Sequence, residues 1–501
     1  MRNLTQRVSR ALCAATLAAS LGACSNFIDD VPGNDNVVQN ASVQQLLVAT
    51  QLRTWLFNEG HVARTAQIWM NQLSGVDRQF ASLEQYVYSE DEWDTEMSGV
   101  FTGGGLVDMR LARAKADSLG LTHTSAVLKV HEAFLVGMAA SMWGDLPYSQ
   151  ALGGGTQPQS PVDKQEAIYA AVQTLLDQAI TAFTAAGSPS DAAVLGDRDF
   201  SFGGDAAAWK RVAYTLKARF YMHWVEAQSS AHTTAAAQAA ANVACAGNCV
   251  TKALAASQNG INTSAGDWNS VHSTAATEQN WWYQFMNERS GYIAAGRLLV
   301  DSLKARGDTE LLSTYFIGNP ATMQGSKPGE SNTSAAQLNI TDSGVAGASQ
   351  GIQLVTCAEN QFIMAEALYR TGAPAAQVYT AINAGAHCVE TRYGLTAGSV
   401  HVTPGLTGAA LLHEIMMQKY FALFLNMESW NDYKRTCEPN IAAAVKQGSS
   451  IQNDPIPSRL LYGQSERQAN SNLPAPGVGS NGERNTNDPE TCAQVTGLAG
   501  A

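Results

Sequence analysis

Trp281, Trp282 and Tyr283 stand consecutively, with Gln279, Asn280, Gln284, Asn287, Glu288 and Arg289 around them. Neighbouring side chains diverge on a helix and alternate faces on a strand, so three adjacent rings cannot all be buried on one side. At least one is expected to reach solvent or a cleft. A sugar presents a flat apolar CH face and a rim of hydroxyls, and its site needs a stacking aromatic flanked by amides, carboxylates or guanidinium groups. The cluster supplies both, and the chemistry it predicts is glycan binding. The competing reading is an aromatic anchor of the local fold.

Catalytic spacings are met only in outline. Gly347-Ala348-Ser349-Gln350-Gly351 has the form of a nucleophile elbow, but a polar, glycine-containing stretch precedes it where a strand is required. His413-Glu414 and His131-Glu132 begin zinc-protease strings whose second histidine positions hold Met417 and Leu135. The GVGSNG string at 477–482 imitates a dinucleotide loop inside a Pro- and Asn-rich tail. The acidic run Glu90-Asp91-Glu92-Trp93-Asp94 carries oxygen ligands for calcium without a glycine-turned loop, and reads better as a solvated turn. These strings predict no catalytic residue, no metal and no cofactor. A carboxylate pair for glycoside hydrolysis assembles only in three dimensions, so a lipid-anchored glycan hydrolase stays open as a lesser alternative.

The start of the chain predicts where it works. Arg2, Arg7 and Arg10 precede a short apolar stretch that ends in Leu21-Gly22-Ala23-Cys24. The stretch is too short to span a bilayer and matches a lipoprotein signal in which Cys24 is acylated and becomes the first mature residue. Residues 1–23 are expected to be the signal peptide and 24–41, rich in Asn, Asp, Pro and Gly, a flexible tether. The formal charge is −12; removing the three signal arginines gives 28 − 43 = −15. Such an acidic body disfavours nucleic acid and direct docking on anionic headgroups, leaving membrane affinity to the lipid.

Beyond Cys13 and Cys24 the cysteines are Cys245, Cys249, Cys357, Cys388, Cys437 and Cys492, an even set that in an exported protein suggests disulfides. Spacing singles out Cys245 and Cys249, in CAGNC, as close enough for a local bridge. A metal site there is the weaker alternative.

The elements that must hold these residues are helical. Ile168, Val172, Leu175, Leu176, Ala179, Ile180 and Phe183 share one face of a helix for which Asp163 is the expected cap. The same spacing joins Trp209, Val212, Leu216, Phe220 and Trp224, and recurs through Phe362–Tyr369, Leu411–Leu423 and Val127–Met138. Two stretches, about 228–285 and 317–356, lack clear periodicity and are expected to be elaborated loops. The pattern is a helical scaffold carrying a loop-built site.

Five motifs then follow in order: WGDLPYSQA from Trp143, FSFGGDAAAWKRVAYTLKARFYMH from Phe200, AENQFIMAEALYRTG from Ala358, EIMMQKYFALFLNMESWNDYKRT from Glu414 and IPSRLLYGQSERQANSN from Ile456. Together they make the chain resemble the SusD/RagB family of outer-membrane nutrient-binding lipoproteins, in the branch with Trp-Gly-Asp-x-Pro-Tyr-Ser. The resemblance implies a mostly α SusD-like fold, with tetratricopeptide-like helix pairs packed against an irregular, loop-rich ligand-binding part. It implies a single domain over 42–501 with a loop-rich insertion at about 228–356. It also implies a non-enzymatic lipoprotein that faces the cell surface, binds an oligosaccharide or other nutrient and delivers it to a SusC-like TonB-dependent transporter. By the same resemblance, loops near Trp69, Arg78 and Tyr86 join Trp281, Trp282 and Tyr283 as expected ligand contacts, although Trp69 has core-like helical spacing. A helical-repeat assembly lipoprotein is the alternative reading.

Overall fold

Buried apolar stripes at helical spacing pair up along the chain, and the helices they build account for most of the protein. A computed structural model describes residues 41–152, 159–229, 234–441, 456–475, 485 and 487–488. Leu106–Ser118 packs on Thr122–Trp143, which packs on Gln165–Thr184; Ala206–Met222 packs on Cys249–Ser257, and Cys357–Arg370 on Ala375–Tyr393. Short connections such as Leu119-Gly120-Leu121 oblige neighbouring helices to fold back on each other. Two glycines allow the closest approaches. A Cβ at Gly137 would lie 2.4 Å from the Phe220 ring, and one at Gly385 2.5 Å from the Phe362 ring.

The WGDLPYS motif works as a joint. Trp143 ends the helix Thr122–Trp143, is fully buried and donates through Nε1 to Leu461 O at 2.9 Å. Asp145 accepts from Gln165 N at 2.9 Å and from Lys164 Nζ at 2.8 Å, so it caps the next helix from a distance. Asp163, the expected cap, is used elsewhere. Its carboxylate accepts from Tyr148 N, Ser149 N and Ser149 Oγ at 3.0, 2.7 and 2.6 Å. The two aspartates exchange roles because a two-way backbone bridge between Leu146 and Asp163 brings the turn against the helix start.

Charged groups are sunk between the helices. Arg219 donates through Nε and Nη2 to Glu359 at 2.5 Å and to Leu354 O at 2.6 Å, both side chains being fully buried. Arg435 donates twice to Glu366 at 2.6 Å and twice to Asp432 Oδ1, at 3.1 and 2.6 Å, and Asp432 also takes Lys419. Burial alone would push the Glu366 carboxyl up, but Arg435 and Arg370 beside it hold it far below the usual carboxylate range.

The first irregular stretch departs from expectation. Within 228–285 lie the helices Ala235–Cys245 and Cys249–Ser257. Alanine is the strongest helix former, yet its small apolar side chain leaves little periodic contrast, so this segment escapes a pattern search. The later stretch is irregular as expected, with short antiparallel pairs formed by Phe316–Ile317 with Gln337–Leu338 and by Trp268–Asn269 with Gln353–Val355. Cys245 is bonded to Cys249, and Cys357 to Cys388 across a helix pair. Cys24, the tether up to residue 40 and Cys492 lie outside the described residues, as does the GVGSNG string. Among the described residues no helix is long and apolar enough to cross a membrane.

Candidate functional site

A cleft of about 610 Å³ lies along the first long helix, Val43–Glu59. Val48, Leu52, Trp55 and Leu56 line it from that helix at i, i+4, i+7 and i+8, the spacing of one face. Phe200 closes one side, and Val271, His272, Ser273, Thr277, Glu278 and Trp281 form the opposite wall. Leu52, Phe200 and Val271 are 49%, 42% and 46% exposed, unusual for large apolar side chains gathered in one place.

Each wall is fixed by hydrogen bonds. Gln51 reaches from the helix to clamp the Phe200 segment, donating to Arg198 O at 2.6 Å and accepting from Phe200 N at 3.0 Å. The opposite wall hangs on Asn280, fully buried, whose side-chain oxygen accepts from Trp282 N and Tyr283 N and so caps the helix Trp281–Glu288. The backbone N–H of Asn280 donates to Ala348 O at 2.8 Å and its amide to Gln350 O at 2.7 Å. The segment that imitates a nucleophile elbow is therefore the bracket for this wall.

Charge at the cleft is sparse and held. Arg53 donates through Nε to Gly103 O at 2.9 Å, and burial lowers its pKa. Its guanidinium is wrapped by a glycine turn: a Cβ at Gly99 would meet Nη1 at 2.5 Å and one at Gly103, where φ is +58°, would meet Nη2 at 2.8 Å. Glu278 accepts from Ser273 Oγ at 2.6 Å. Burial disfavours a charged His272, yet the bond and charge of Glu59 outweigh it and raise the imidazole pKa.

The expected contacts divide. Trp281 lines the cleft, half-buried. Trp282, one residue on, points inward and is 0% exposed, so it is core and not a ligand contact. Tyr283 is half-buried outside the cleft lining. The helix rotation between successive residues sends the three rings apart. Trp69 is also core: its Nε1 donates to Leu83 O at 2.9 Å and its ring meets Trp430 edge-on at 5.1 Å. Tyr86, buried at a positive φ of 60°, packs on Trp69. Arg78 is exposed over the Tyr292 ring, away from the cleft residues. Sequence reasoning missed Trp55, Phe200, His272 and Arg53; the helical face 48-52-55-56 was a usable signal, whereas the loop residues came together only on folding. The acidic run is spent in pairs, Glu90 with Arg467 and Glu92 with His61.

The sequence from 35 to 463 matches the family model SusD-like, described as starch-binding and associating with the outer membrane. This chain belongs to the SusD-like family. Solved SusD structures share the fold. A SusD/RagB family protein from Bacteroides thetaiotaomicron is 21% identical with a TM-score of 0.68, over 87% of this chain and 95% of that one. A chitin-binding SusD homolog from Flavobacterium johnsoniae is 18% identical with a TM-score of 0.69, over 89% and 98%. No curated protein matches. The SusD-like fold here is mostly helical, and its cleft takes one wall from the first long helix and another from residues 271–281.

Proposed function

We propose that this SusD-like chain is a surface lipoprotein, anchored through Cys24, that captures a glycan in the cleft beside Val43–Glu59 and passes it to a SusC-like TonB-dependent transporter. The observation that carries the reading is the open aromatic wall of Phe200 and Trp281, backed by the buried Trp55, with a fixed guanidinium at Arg53 and a carboxylate at Glu278 beside it. Stacking rings with few, fixed polar groups are what a sugar site requires. The family's description as starch-binding and outer-membrane-associated, and the chitin-binding relative, support a carbohydrate ligand. Trp282 and Trp69 have no part in it, whereas Tyr283 and Arg78 stay outside the cleft lining as peripheral candidates.

Weak intrinsic affinity suffices for this role, because many anchored copies beside a transporter raise the effective ligand concentration. The test is a glycan array followed by calorimetry, with products assayed in the same tubes. Saturable binding without turnover supports capture; turnover or silence on every glycan defeats it. For the anchor, Cys24→Ala should release a folded soluble protein, and continued membrane attachment would refute lipidation at that residue.

A further inference from the structure

We infer that the cleft selects glycans bearing acyl substituents, N-acetyl or O-acyl groups, over the same backbones unsubstituted. This deepens the reading of the cleft as the glycan site and rests on it. The walls are too apolar for a bare polyol. Val48, Leu52, Leu56 and Val271 add four aliphatic side chains to the rings of Trp55, Phe200 and Trp281, and no Asn or Gln is among the described residues lining the space. Aromatics alone stack on the CH face of a sugar; aliphatic side chains need an alkyl group to cover them.

The polar groups present are largely committed. Both His272 ring nitrogens face acceptors, Glu59 and Glu278 O, the Ser273 hydroxyl donates to Glu278, and Arg53 Nε–H is taken by Gly103 O. Unsubstituted sugars place hydroxyls around the whole ring and would leave many of them unpaired in such a cleft, at a desolvation cost. An acyl group has a different balance, one alkyl part and one carbonyl acceptor. The cleft has donors for that acceptor. The Nη groups of Arg53 donate to nothing among the described residues. Leu52 and Val271, exposed today to water, would be covered by the alkyl part, a gain proportional to the apolar area removed. The volume of about 610 Å³ is in the range of sites that enclose a small ligand.

The experiment titrates the full chain calorimetrically with two matched pairs. One pair shares a β-1,4 backbone, chitohexaose against cellohexaose; the other is acetylated xylo-oligosaccharide against the same sample after alkaline deacetylation. The acylated member of at least one pair is expected to bind about tenfold tighter, or more. Leu52→Asn and Val271→Asn, at exposed positions, should shrink that preference to about threefold or less, with unchanged melting temperature. Equal affinities within both pairs, or a preference untouched by both variants, overturns acyl selection while leaving glycan capture standing. Failure of all four ligands overturns both.

Discussion

His272 places its Nε2 3.1 Å from both carboxylate oxygens of Glu59, a side chain with no exposure of its own. Its Nδ1 lies 3.2 Å from the carbonyl of Glu278. Both neighbours accept, so the arrangement favours the protonated ring, in which both nitrogens donate. The pair ties the loop carrying Val271, Glu278 and Trp281 to the end of the helix carrying Trp55, whose ring centroid is 6.3 Å from that of His272. One titratable bond thereby joins the two walls of the cleft.

That bond gives the cleft a pH dependence. The folded-state pKa of His272 is raised above its ordinary value of about 6.5, so its stabilisation is complete below that pH and is lost as pH rises through the higher folded value. Glycan affinity and melting temperature should both fall between slightly acid and mildly alkaline pH. His272→Gln should flatten that part of both profiles; an unchanged profile would show the bond to be irrelevant.

The adjacent tryptophans should separate binding from folding. Trp281→Ala removes a ring from the cleft wall and is expected to weaken a cognate glycan about tenfold, with melting temperature nearly constant. Trp282→Ala empties a core site and should cost about 3–5 kcal/mol in denaturant unfolding. If the two effects were exchanged, the assignment of the rings would be wrong.

Arg219 and Glu359 test the buried charges. Arg219→Met strands a carboxylate in the interior and should cost about 3–5 kcal/mol. Replacing both, Arg219→Met with Glu359→Leu, should recover much of the loss because no unpaired charge remains. Chemical denaturation of the single and double variants measures the difference, and a double variant as unstable as the single would contradict it.

The two bridges between described cysteines differ in the length of chain they close. Cys357 and Cys388 are 31 residues apart, Cys245 and Cys249 only 4. Loop-closure entropy then assigns about 3.5 kcal/mol to the first and about 2 kcal/mol to the second. Paired alanine variants should rank in that order by melting temperature, and a reversed order would point to enthalpic effects instead.

The helical fold was legible because long amphipathic helices carry their burial pattern locally: 165–184 and 206–222 need only their own residues to show which face goes in. The Ala-rich helices at 235–245 and 249–257 were not, since alanine favours helix while leaving the apolar face indistinct. The cap of 165–184 was misplaced for a similar reason. Asp163 is adjacent in sequence, but Asp145 reaches Gln165 N only after the chain has turned.

By itself the sequence determined a helix-rich chain of SusD-like character. It could also say that three consecutive rings cannot share a burial face, because side-chain direction follows from local backbone geometry. Which ring faces the cleft was decided only by tertiary structure. Trp281 and Trp282 have the same chemistry and differ by one helical step, and that step acquires a meaning only when Asn280 is pinned to Ala348 and Gln350. The cleft itself joins residues from Val48 to Trp281, brought together by long-range hydrogen bonds such as Gln51 to Phe200 and Glu59 to His272. Contacts across such separations leave no periodic trace in the sequence, so the site exists as a readable object only in the folded protein.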